Sequence, residues 1–197
     1  MQNGADRNMI FNEYKFLRDE IMMLFQIRNT LTTFTITTVI VILALSVNIE
    51  NYLVALLPFL IIVPICLRTI YYGYAMMKLA AYIVVFLEPK LPEIQWETRN
   101  AITMPHIRKM KGETLYNIST TIRYHEFTIL SFMTSVTFYF ISYISDSMLL
   151  NWYNPINMLP IVITIFIFIA TIYGRKSERI KQFYVDNYMK LSTNFDA

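Results

Sequence analysis

The stretch that decides the fold is 29-NTLTTFTITTVIVILALSVNI-49, then Glu50, then 51-NYLVALLPFLIIVPICL-67. Neither segment carries a charge, and the single carboxylate between them allows only a tight turn. A helix needs about 20 apolar residues to cross the hydrocarbon layer of a bilayer. The same pattern returns at 127–145 and 147–174, separated by Asp146. These runs predict four transmembrane helices, near 30–48, 51–68, 127–145 and 156–173. The second is slightly short and carries Pro58 and Pro64, which tilting and neighbouring helices can accommodate. Asn154 and Pro155 are suited to open the last helix.

Composition excludes most alternatives. Of 197 residues, 55% are hydrophobic and only 16% charged, against a usual charged share of about 25%. The four glycines are scattered, so no phosphate-cradling loop or dinucleotide crevice can be built. One cysteine, Cys66, cannot form an internal disulfide or a thiolate cluster. A net charge of +3 is too small for direct nucleic-acid binding through bulk electrostatics. Charged residues recur through the first 28 positions, and no small-residue cleavage site follows them, so a removable signal peptide is not expected.

Charge asymmetry orients the chain. All 17 Lys and Arg lie in 1–28, 68–123 or 175–190, none in either short connection. Positive charge stays on the cytoplasmic side, so both termini and the central connection are expected there, with the chain in a bacterial inner membrane. Tyr52, Trp152 and Tyr153 mark the outer boundary; Tyr71, Tyr72, Tyr124 and Tyr173 mark the inner one.

The expected architecture is all-α, an integral membrane protein of two transmembrane hairpins with long cytoplasmic helical extensions. It divides into a stem (1–29), hairpin one (30–68), a helical connection (69–126), hairpin two (127–173) and a C-terminal helix (174–197). From Ile10 to Val47 there is neither Pro nor Gly. Tyr14, Leu17, Ile21, Leu24, Arg28 and Leu31 form a seam at spacings of three and four, suited to packing within the chain or between chains. Such a stem would extend about 30 Å beyond the membrane. The second helix is expected to run on to Pro89. The fourth should continue to Met189, with Ile180, Phe183, Tyr184 and Tyr188 on one side. Pro89, Pro92 and Pro105 make 88–105 an extended tip, where Glu88, Glu93 and Glu97, with Lys90 and Arg99 among them, read as the charges of a solvated, salt-bridged tip. Trp96 either plugs the bundle end or anchors a partner.

Catalytic chemistry is not expected. His106 and His125 are far apart in sequence, with Glu126 after the second, and give no metal-ligand spacing. No nucleophile–base set is visible, and no cofactor is implied. The spans hold no ionisable group besides the thiol, unlike coupled transporters. They are rich in hydroxyls instead: Thr30, Thr33 and Thr37 on the first, Ser131, Ser135 and Ser142 on the third, Asn157, Thr164 and Thr171 on the fourth. Such residues either pack helices closely or line a narrow pore. A pore would need several copies of the chain, around which Glu50 or Asp146 would form an acidic outer ring that favours cations.

Residues 13–28, with Tyr14, Leu17-Arg18, Glu20-Ile21 and Arg28, resemble the opening of small bacterial membrane proteins with a Tyr-x-x-Leu-Arg-x-Glu-Ile helix. A second similar stretch runs from Leu67-Arg68 through Ala80-Ala81-Tyr82-Ile83 to Glu88-Pro89, Leu91-Pro92 and Trp96-Glu97. The resemblance covers the first half of the chain and points to the membrane effectors of anti-phage defence operons, the Hailong-type channel effector in particular. It implies a homo-oligomer that depolarises the membrane, and a cytoplasmic nucleotide-handling regulatory protein as partner. Arg18, Glu20, Arg28 and Trp96 would then serve stem packing, gating or partner contact. The alternative function is a non-conducting anchor or scaffold.

Overall fold

The computed structural model describes residues 2–91, 93–98, 113–144, 155–175 and 177–195, with side chains at 7–91, 93–98, 125–144, 155–174 and 181–190. Five α-helices account for most of them: α1 (Gln2–Ile49), α2 (Leu57–Tyr82), α3 (Glu113–Ile144), α4 (Pro155–Arg175) and α5 (Ser177–Phe195). No strand occurs among the described residues. Four stretches are long and apolar enough to cross a membrane; they lie in α1, in α2 with its flanking turns, in α3 and in α4. α1, at 48 residues, is about 72 Å long, more than twice a hydrocarbon layer. Only its charge-free part from Asn29 onward is apolar enough to cross.

The chain forms two compact units. One comprises 28–71 and 121–175, and its core draws on all four apolar helices: Val39 from α1, Ile62 and Cys66 from α2, Phe127 from α3 and Ile167 from α4. A second cluster, Ala55, Phe138 and Ile141, packs with Tyr52, whose ring meets Phe138 edge-on at 5.7 Å. Gly174 lets α4 come close to α2, since a Cβ there would stand 3.2 Å from Ile70 Cγ1. Pro155 is the first residue of α4, where its missing N–H removes no bond. Pro58 is likewise the second residue of α2.

α1 ends by a Schellman motif. The Glu50 N–H bonds the Val47 carbonyl at 3.3 Å and the Asn51 N–H bonds that of Ser46 at 3.2 Å. Glycine is usual at the pivot, yet Glu50 holds it at φ 53°. Asn51 Oδ1 then accepts the Leu53 N–H at 3.0 Å, and a 3-10 turn, Val54–Leu56, leads into α2.

The other unit comprises 1–27, 72–120 and 176–197. Tyr14, Ile83, Leu87 and Leu91 are its buried cluster, with Ile10, Leu17 and Ile21 packed against it. The N-terminal part of the heptad seam is therefore used for packing within the chain. Regular α-helix ends at Tyr82, seven residues short of the expected Pro89. A wide π turn, Ile83–Leu87, and a 3-10 turn, Glu88–Lys90, follow. In a regular helix the Pro89 ring would strike the Val85 carbonyl, and the widened turn relieves that contact. On α5 the expected stripe is displaced. Val185 is buried at 7% while Phe183 stands 61% exposed, because Lys181, Tyr184, Val185 and Tyr188 share the inward face. Tyr188 meets Tyr82 and Phe86 at 6.2 and 5.7 Å.

Candidate functional site

Two sets of polar side chains stand out, one in each unit. In the membrane unit the hydroxyl stripes of α3 and α4 meet each other. Ser131 and Ser135 lie 2.8 and 2.9 Å from the Thr164 hydroxyl, and Thr128 lies 3.0 Å from that of Thr171. Ser135 also donates to the Pro160 carbonyl, and Tyr139 donates to that of Asn157. The three- and four-residue spacings on α3 and the seven-residue repeat on α4 thus describe matching faces of one helix pair. Hydrocarbon offers such groups no partner; Ser135 and Thr171 also reach carbonyls of their own helices, those of Ser131 and Ile167, at 3.1 and 2.8 Å, and the bonds between helices add to these by tying the pair together. Ser142 and Asn157 are also buried, at 6% and 3%.

Thr30, Thr33 and Thr37 behave differently. All three are exposed on α1. Thr37 satisfies its hydroxyl locally, by donating to the Thr33 and Phe34 carbonyls at 3.1 and 3.0 Å. Glu50 is exposed at the end of this helix; Asp146 lies outside the described residues. Glu126 was not expected to matter. Its Oε1 accepts the Thr32 hydroxyl at 3.4 Å, which brings a carboxylate level with the first turn of the α1 span.

In the other unit Glu88 is the organising residue, and the solvated reading of it is wrong. It is only 2% exposed. Its carboxylate accepts the backbone N–H groups of Glu97 and Thr98 at 2.7 and 3.2 Å, together with the Thr98 hydroxyl. Residues 96–98 are helical, so Glu88 caps their free N–H groups as an N-cap side chain would. The cap comes from nine residues away, where no local spacing signals it. Glu97 in turn pairs with Lys181 at 2.8 Å, with side chains 14% and 25% exposed. Glu93 is solvated as expected, 73% exposed and paired with Arg7.

Two of the four residues singled out for partner contact, Arg18 and Trp96, sit around this cap. The Arg18 guanidinium lies 4.8 Å from the Trp96 ring centre, a cation–π arrangement, and the indole is 47% exposed. Burial pushes the Tyr14 phenol above its ordinary range; Arg18 opposes that, and the Glu88 and Glu97 carboxylates add to it. Burial, and then donation to the Glu13 carboxylate at 3.0 Å, raises Tyr82 in the same way. Glu20 and Arg28 are half-buried on α1; neither belongs to the Glu88 network. Residues 99–105 of the expected tip lie outside the described residues.

No group of three or more His, Cys, Asp or Glu side chains able to hold a metal exists among the described residues. Cys66 is buried in the four-helix core. With four apolar spans around a shared core, the chain is an all-helical, multi-pass membrane protein. No family model, curated protein or solved structure matches it.

Proposed function

We propose that this chain is the subunit of an oligomeric, gated ion-conducting effector of the bacterial inner membrane. The observation that carries the reading is the contrast between its hydroxyl stripes. Those of α3 and α4 are consumed within the chain, whereas Thr30, Thr33 and Thr37 are exposed. An exposed hydroxyl stripe gains nothing from lipid. Between copies it can pack helices or line a narrow wet path. Four helices packed on a shared apolar core leave no room for a wide aqueous path, so conduction requires an oligomer.

Both termini and the unit built on Glu88 are assigned to the cytoplasm by the Lys and Arg distribution. That unit is the natural receiver of an opening signal. The resemblance of the first half to defence effectors suggests that a nucleotide-handling protein supplies it and that opening depolarises an infected cell. The reading is tested with purified protein in planar bilayers. Discrete current steps that Thr33→Val alters support it. Reversal potentials left unchanged by both Glu50→Gln and Asp146→Asn reject the acidic outer ring.

A second reading, a non-conducting anchor, draws on the half-exposed Trp96 beneath Arg18, a pair of residue types common at binding hot spots. Silence in the bilayer with and without a cytoplasmic partner that Trp96→Ala releases would favour it.

A further inference from the structure

In the unit built on Glu88, α1 buries Ile10, Tyr14, Leu17 and Ile21. Turned away from that face, Met9, Phe16 and Met23 stand 67%, 69% and 51% exposed. They are spaced seven residues apart, two turns of helix, so they fall on one line. On the reading that residues 1–29 lie in the cytoplasm, lipid does not cover this line. Water does, unless protein replaces it.

We propose that the line is a seam on which α1 packs, in parallel, against α1 of a second copy of this chain. Copies inserted with one orientation in one membrane can only present α1 in parallel. A seven-residue repeat then sets each of the three residues against its own counterpart. Charge supports this partner. Lys15 and Glu20 flank the line on opposite sides, five residues apart, the spacing at which flanking charges pair between parallel helices. Among the described residues neither takes an ion pair within its own chain.

Asn12, Asp19 and Gln26 take the second inward position of each repeat. Polar residues there cost stability, and the facing Asp19 carboxylates repel, so the seam is held by the Met9, Phe16 and Met23 line and its flanking charges. The seam therefore assembles between chains already gathered in one membrane.

The test is cysteine cross-linking in native membranes, in a Cys66→Ala background. Phe16→Cys and Met23→Cys, oxidised with copper phenanthroline, should give at least tenfold more disulfide-linked dimer than Phe11→Cys. That control residue is 45% exposed but lies off the line. Lys15→Glu or Glu20→Lys alone should reduce the Phe16→Cys dimer severalfold, and the double swap should restore it. Equal cross-linking at all three positions, none at 16 and 23, a product with the mass of another protein, or no restoration would each overturn the seam. Labelling of Phe11→Cys by a membrane-impermeant maleimide from the cytoplasmic face reports the location separately. If it labels and positions 16 and 23 do not cross-link, the seam alone falls. If it does not label, the seam falls with the location it rests on.

Discussion

Glu88 offers the sharpest stability test, because a buried carboxylate there satisfies three donors. Glu88→Ala strips two backbone N–H groups and the Thr98 hydroxyl of their acceptor at a site 2% exposed. Each hydrogen bond to a charged group contributes roughly 1.5–3 kcal/mol. Water entry and rotation of the hydroxyl recover part of that sum. The expected loss is therefore about 3–4 kcal/mol. Glu88→Gln keeps the shape and one accepting oxygen but turns an amide N–H₂ toward the remaining donors, so about 2 kcal/mol is expected. Glu93→Gln, at a 73% exposed ion pair, should cost less than about 1 kcal/mol. The assay is unfolding in detergent followed by Trp96 emission in a Trp152→Phe background, with hydrogen exchange at Glu97 and Thr98. If Glu88→Ala costs no more than Glu93→Gln, or leaves exchange of those two amides unchanged, the capping role assigned to Glu88 is wrong.

Glu50→Gly should stabilise the chain by about 1 kcal/mol, read as a higher unfolding midpoint, because it relieves a left-handed backbone at φ 53° that costs L residues about that much. Thr164→Val removes the partner of Ser131 and Ser135 and should cost roughly 0.6–2 kcal/mol. Thr33→Val should leave stability nearly unchanged and alter the current instead. Tyr14 has a raised pKa, so its burial contributes stability that is complete below the unfolded value of 10.0 and is lost as pH rises through the folded one. Tyr14→Phe should therefore flatten the fall in thermal midpoint above that pH. Cys66, 1% exposed, should resist a small maleimide in the folded protein and react fully once it is denatured.

The structure bears on how individual residues are used. Thr33 and Thr164 look alike in the sequence, each a hydroxyl on a helical face of an apolar span. Only the packing of α3 on α4 separates them. The same holds for the acidic residues of the tip. Glu88 and Glu93 sit five residues apart in one proline-rich stretch, yet one is a buried cap and the other a solvated charge. The difference lies in where residues 96–98 fold back.

The sequence by itself determined the class of the molecule: four charge-free runs of bilayer length, separated by single carboxylates or by basic segments. That reading succeeds because hydrocarbon imposes one strong rule, that backbone polar groups be satisfied within each span, and helices alone meet it with such runs. Tertiary structure decided the rest. The inward face of α5, the pairing of Thr164 with Ser131 and Ser135, and the Glu88 cap all depend on contacts that no local spacing signals. Side-chain periodicity marks a face, but it does not say which surface will cover it.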